Sequence, residues 1–150
     1  MSLLAAQNYD PAVAVVKSTS ALLAMTALDT TNLRAIFSVP LSGNVLVRLR
    51  GVLHGSTAMP MLLFGVLEGA TVKARAIPSN VVGYSSTSTL MNAVEAVFAV
   101  TGLTPGAQLT WDAAYGVEVI SSSNGIKYGG PDDAVGANAF GAFQFEVWEA

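Results

Sequence analysis

Two arginines stand two residues apart in "SVPLSGNVLVRLRG", residues 38 to 51. On a strand, Arg48 and Arg50 would share one face with Leu46, and Val45, Val47 and Leu49 would share the other, because successive side chains point to opposite sides. Guanidinium groups set this way can grip carboxylates or phosphates bidentately. Three uses are open: an anion site in an enzyme, phosphate contacts in a nucleic-acid binder, and docking on an acidic neighbour. A fourth is simpler, a charged outer face that keeps the sheet soluble and blocks edge pairing.

The remaining candidates for chemistry are weaker. His54, in "VLHGSTAM", is the one histidine. A Ser–His–acid device needs a nucleophile and an orienting carboxylate, and no nucleophile elbow accompanies it, so His54 beside Gly55 reads as a turn residue. Asp132 and Asp133 lie in "YGGPDDAVG". Calcium takes six to eight oxygen ligands with carboxylates at short regular spacing, and two adjacent aspartates after a proline fit a turn better. Glycoside hydrolysis needs two facing carboxylates, a pairing that the ten acidic residues do not specify. The glycines of "GGPDDAVGANAFG" lack a P-loop lysine and do not open a helix. With no cysteine there is no disulfide, thiol nucleophile or zinc–thiolate site. No catalytic site, cofactor or metal is expected.

Short strands must position the arginines. Turn signals recur at Ser42-Gly43-Asn44, Gly55-Ser56, Pro78-Ser79-Asn80, Thr104-Pro105-Gly106, Ser123-Asn124-Gly125 and Gly129-Gly130-Pro131. The runs between them are rich in Val, Leu, Phe, Trp and Thr, the pattern of a sandwich or barrel. Several alternate cleanly. Leu33, Ala35, Phe37 and Val39 oppose Arg34, Ile36 and Ser38; Leu109, Trp111 and Ala113 oppose Gln108, Thr110, Asp112 and Ala114; Phe143, Phe145 and Val147 oppose Gln144, Glu146 and Trp148. Lys73 and Arg75 oppose Val72, Ala74 and Ala76 in the same way. "STLMNAVEAVFAV", 88 to 100, fits both helical and strand spacing, and its β-branched content favours a strand. "YSSTSTL", 84 to 90, reads as an exposed loop. The expectation is one all-β domain over 1–150, an antiparallel two-sheet sandwich of about eight to ten strands with jelly-roll-like topology. Residues 1–11 are read as an extended N-terminal arm. Phe37, Val47, Phe98, Trp111 and Phe145 are expected at the centre of the core.

Composition narrows the partners. The 150 residues are 52% hydrophobic and 11% charged, against about 25% charged in typical soluble domains. Apolar surface so thinly charged is expected to be buried by assembly, the alternative being a domain rich in Ala, Gly, Ser and Thr, small residues that need little solvation. A net charge of −3 and a pI near 4.9 argue against nucleic acid, whose binders carry a basic footprint. The longest apolar run, "MPMLLFGVL" at 59 to 67, is far short of the ~20 residues of a membrane helix. "MSLLAAQNYDPAVAVVK" has no basic n-region and is interrupted by Asp10 and Pro11, so no secretory signal is expected. Charge is also uneven: residues 1–111 carry six basic and four acidic residues, and residues 112–150 one basic and six acidic. Arg34, Arg48, Arg50, Lys73 and Arg75 all fall on outward strand positions, as does Trp148 between Glu146 and Glu149. Arginine and tryptophan are common contact anchors, so these six residues are the candidate protein interface. Cover of Trp148 by the chain's own N-terminal segment stays open.

Three stretches, "LDTTNLRAIFSVPLSGNVLVRLRGVLHG" (28–55), "VTGLTPGAQLTWDAAYGVEV" (100–119) and the closing "KYGGPDD…FGAFQFEVWEA" (127–150), together resemble small all-β virion proteins of tailed bacteriophages, the capsid decoration (cement) proteins and related tail-associated domains. The resemblance lies in pattern more than in a diagnostic motif. It implies a jelly-roll-like sandwich, commonly a trimer, that binds the major capsid protein on the outer capsid surface after assembly in the host cytoplasm, with no catalytic site. The alternative it leaves is a tail or fibre component contacting a host surface glycan.

Overall fold

The computed structural model describes residues 1–18, 25–54, 62–75, 81–86, 91–117, 125–130 and 140–150. Asp132 and Asp133 lie outside them, as do residues 87–90 of the expected serine/threonine loop. Within them the chain forms β1 (Leu3–Tyr9), β2 (Val15–Ser18), β3 (Thr26–Ala27), β4 (Arg34–Ser38), β5 (Val45–His54), β6 (Leu62–Glu68), β7 (Thr71–Arg75), β8 (Val81–Ser86), β9 (Met91–Val100), β10 (Gln108–Val117), β11 (Gly125–Tyr128) and β12 (Phe143–Glu149). No helix among the described residues is long and apolar enough to cross a membrane.

The strands form two antiparallel sheets. The seven-stranded sheet runs β1-β12-β5-β9-β8, with β11 taking over from β12 along the second half of β5 and β2 lying outside β11. The five-stranded sheet runs β4-β10-β6-β7, with β3 continuing the row of β4. The order β1-β12-β5-β9 facing β4-β10-β6-β7 is the expected antiparallel two-sheet sandwich. Twelve strands among the described residues replace the expected eight to ten because three rows are broken in two: β1 with β2, β12 with β11, and β4 with β3.

The core follows from alternation. Val45, Val47 and Leu49 on β5, Ala35 and Phe37 on β4, Trp111 and Ala113 on β10, Val94, Ala96 and Phe98 on β9, and Phe143, Phe145 and Val147 on β12 are all buried in one cluster between the sheets. Aromatic rings pack within each sheet and, through Phe64 and Phe143, between the two. Phe37 meets Trp111 edge-on at 4.9 Å between centroids, and Phe143 meets Phe64 at 5.6 Å and Tyr128 at 5.9 Å. Such tilted pairs suit the ring quadrupoles.

The turn before β5 is a lock between two loops. Gly43 has φ +68°, and a Cβ there would stand 2.7 Å from the Leu103 carbonyl oxygen. The Leu103 N–H donates to the Gly43 carbonyl, and the Gly106 N–H donates to the Val39 carbonyl. Only a residue without a side chain fits this close approach with positive φ.

Three expectations change. The first eleven residues are not a free arm: Leu3–Tyr9 is paired along β12 as an outer strand, because Leu4, Ala5 and Tyr9 have apolar surface to lay against the core. The loop expected from "YSSTSTL" begins with strand instead, since Tyr84 to Ser86 pair in register with Ala93 to Met91; the neighbouring strand, not serine content, decides. In β7 a register shift opposite Val66/Leu67 breaks the alternation. Ala74 therefore packs on the main core, while Val72 joins a second small cluster with Met25, Leu67, Ala27 and Ala114 on the outer side of the five-stranded sheet. A bulge re-aims side chains in this way.

Candidate functional site

The six candidate residues do not form one patch. Arg48, Arg50 and Trp148 lie on the outer face of the seven-stranded sheet, and Arg34 and Lys73 belong to the five-stranded sheet. Arg75 pairs with Gly65 at the end of β7, and its side chain is outside the described residues.

On the five-stranded sheet the two cations whose side chains are described, Arg34 and Lys73, are neutralised locally. Arg34 donates from Nε to Asp112 Oδ1 at 2.7 Å and from a terminal nitrogen to Oδ2 at 2.9 Å, a fork on the strand partner directly across from it. These hydrogen bonds, then the charge of Asp112, raise the guanidinium's pKa. The pair is lopsided: the Arg34 side chain is 40% exposed and that of Asp112 is 4% exposed. Lys73 stands 3.6 Å from Glu68, whose other oxygen accepts a hydrogen bond from the buried Trp111 indole at 2.9 Å. Both residues have structural partners inside the chain.

The outer face of the seven-stranded sheet is built in cross-strand rows. Leu46 lies between Trp148 and Ala99, Arg48 between Glu146 and Val97, and Arg50 between Gln144 and Glu95. Arg48 reaches diagonally to Glu95, donating from Nε at 2.8 Å and from a terminal nitrogen at 2.6 Å, both to Oε2. Its other terminal nitrogen is 3.6 Å from Glu146 Oε2, which also accepts the Trp148 indole N–H at 2.9 Å. The Glu95 hydrogen bonds raise the Arg48 pKa against the opposing effect of partial burial. The expected acidic neighbour of Arg48 is thus found within the same chain.

Two cavities flank this network. One of about 220 Å³ is lined by Met1, Leu46, Arg48, Val97 and Trp148. The chain's own N-terminus therefore stands beside Trp148, and the Glu149 N–H donates to the Ser2 carbonyl. The other, about 250 Å³, lies around Arg50. Sequence reasoning placed the arginines and Trp148 outward and left open the N-terminal segment beside Trp148, but did not identify Glu95, Glu146 and Val97 as neighbours of Arg48. Strand parity puts Glu95 opposite Val94 and Ala96, so its outward direction was readable, but its partner depends on register between strands 47 residues apart in sequence.

Among the described residues no group of three or more His, Asp and Glu side chains could hold a metal ion. His54 is the buried last residue of β5, across from Gly125 on β11 and Met91 on β9. No protein-family model matches the chain, and no curated protein is detectably similar to it in sequence.

Proposed function

We propose that this chain is a capsid decoration protein of a tailed bacteriophage, a homo-oligomer that clamps neighbouring major capsid subunits on the outside of the shell. The observation that carries the reading is where apolar surface is left uncovered. Of the large apolar side chains exposed among the described residues, Met1, Leu3, Val13 and Val16 lie along the β1–β2 row at one edge of the sandwich. Met1 also lines the cavity with Leu46, Val97 and Trp148. Apolar bands are thus exposed at both ends of an outer strand row, with Asn8 and Asp10 exposed between them, and the Met1–Leu3 end continues onto the sheet face. Ile36 on β4 and Leu41 in the turn before β5 are exposed elsewhere. Bands of this kind mark contact surfaces, and an outer strand with free backbone groups invites pairing unless another chain covers it.

The Arg48–Glu95–Glu146–Trp148 network suits such a surface. Each of its charges has a partner, Arg48 with Glu95 and Glu146 and the latter with the Trp148 indole, and its one guanidinium against two carboxylates leaves a net negative charge for a partner surface to meet. The low charge of the chain and its resemblance to phage virion proteins support the same reading. The β1–β2 edge is assigned to contacts between copies, with a trimer expected, and the Trp148 face to the shell.

Co-sedimentation with undecorated capsids, light scattering and antibody-labelled electron microscopy test this. The expected mass is about 46 kDa, three times 15.4 kDa, with label over the head. Trp148→Ala should weaken shell binding by roughly 2 kcal/mol or more, as a buried aromatic anchor does. A stable monomer that ignores capsids, or label confined to the tail, overturns the reading; tail label would favour the fibre alternative.

A further inference from the structure

We infer that the cavity around Arg50 is an acceptor site for a carboxylate side chain of the shell subunit. This rests on the decoration reading for its occupant and on local geometry for its chemistry. Arg50 is exposed and forms no ion pair among the described residues, although Glu95 lies directly across from it on β9. That carboxylate is turned away to Arg48, at 2.6 and 2.8 Å. A chain with few charges therefore has two adjacent arginines, one internally neutralised and one left open.

The open guanidinium stands at a cavity of about 250 Å³. Gln144, its other cross-strand neighbour, adds an amide that can donate to a second oxygen. Val52, Ala93, Phe140 and Ala142 supply apolar wall. The Lys127 ammonium lies 5.0 Å from the centroid of the Phe140 ring, so a second cation stands beside this wall. The guanidinium fork matches the two oxygens of a carboxylate, and the apolar wall matches the methylenes that carry a carboxylate on Asp or Glu. Phosphate, with more charge and no apolar stem, uses less of the site.

The test has two arms. In the first, propionate is titrated into the isolated protein while the Arg50 Nε–H and Gln144 side-chain amide resonances are followed. Saturable shifts in roughly the millimolar range are expected for so small a ligand, absent with neutral propionamide and absent at Gln144 in Arg50→Gln. In the second, Arg50→Gln and Arg50→Lys are compared with wild type for binding to undecorated capsids. Arg50→Gln should bind about 30-fold more weakly or worse, and Arg50→Lys, which keeps the charge and loses the fork, should fall between. No saturable response to propionate, or an equal response to propionamide, overturns the site. Undiminished capsid binding by Arg50→Gln overturns it while leaving the decoration reading intact. Saturable propionate binding with no capsid binding by wild type supports the carboxylate chemistry and overturns the shell as its source.

Discussion

Gly51 offers a sharp test of the packing because two physical rules disagree there. It sits in the middle of β5, where replacing glycine by alanine ordinarily stabilises by roughly 0.5–1 kcal/mol. The structure predicts the opposite sign. A Cβ on Gly51 would lie 2.6 Å from two ring carbons of Phe143, about 1 Å inside the usual carbon–carbon contact distance. The ring cannot swing clear, since it is fully buried and edge-packed against Phe64 and Tyr128. Over-packing of this kind costs roughly 1–3 kcal/mol, so Gly51→Ala should destabilise by about 1–2 kcal/mol after the propensity gain. Phe143→Ala alone should cost about 3–5 kcal/mol. In the double variant the new methyl enters the space the ring has left, so the two costs should not add. The pair should be more stable than their sum by at least about 1 kcal/mol. Urea unfolding followed by the fluorescence of the buried Trp111, at one fixed protein concentration because assembly shifts apparent stability, measures all four corners. A stabilising Gly51→Ala, or strict additivity with Phe143→Ala, would refute the argument that this glycine exists to admit the ring.

Four further outcomes follow from the structure. Arg34→Met should lower the melting temperature more than Asp112→Asn, because the first strands a buried carboxylate and the second leaves a half-exposed guanidinium that water can reach; the reverse order in thermal unfolding would contradict the geometry. Arg48→Ala should cost only about 1 kcal/mol, and less in high salt, since its side chain is 39% exposed and the ion pairs are screened. Phe145→Ala should cost roughly 3–5 kcal/mol by chemical denaturation, and a loss under about 1 kcal/mol would mean its strand face is reversed. Tyr128 has a buried hydroxyl with no hydrogen-bond partner among the described residues, and burial, followed by the charges of Asp29, Tyr9 and Tyr115, pushes its pKa from 10.0 up to about 12. The folded state keeps that proton after the unfolded state has lost it, so stability should fall as pH rises from 10 to 12, by roughly 1.4 kcal/mol per unit; Tyr128→Phe should be near neutral at pH 7 and flatten that alkaline decline.

What the sequence discloses here is local, and what it hides is register. The direction of a side chain on a strand depends only on its neighbours, so Leu33, Ala35 and Phe37, or Val45, Val47 and Leu49, could be assigned inward from the text alone. The assignment failed at β7, where one extra residue opposite Val66/Leu67 separates Val72 from Ala74, and nothing in "TVKAR" announces a bulge. It was incomplete on β10. Asp112 and Ala114 do point out of the main core, yet both are buried. Ala114 packs with Met25, Leu67, Ala27 and Val72 on the outer side of that sheet, and Asp112 is held by Arg34 from β4. An outward position is not the same as an exposed one, and the difference is made by segments far away in sequence.

The uneven charge of the chain shows the same limit and then narrows the functional question. Basic residues before position 112 and acidic residues after it suggest contact between copies when seen as a line of text. In the fold, β10 lies beside β4 and β12 beside β5, so the two halves meet inside one molecule. Arg34 finds Asp112, and Arg48 finds Glu146 as well as Glu95. Each of these pairs removes an arginine from the set available to a partner. Lys73 is likewise held by Glu68. Of the candidate cations whose side chains are described, Arg50 alone forms no ion pair among the described residues, and it lines a cavity with an amide and an apolar wall. The paired arginines of β5 therefore divide the labour: Arg48 takes Glu95 and approaches Glu146, the acceptor of the Trp148 indole. Because Glu95 is turned to Arg48, the arginine two residues on has no ion pair among the described residues, the arrangement on which the proposed carboxylate site rests.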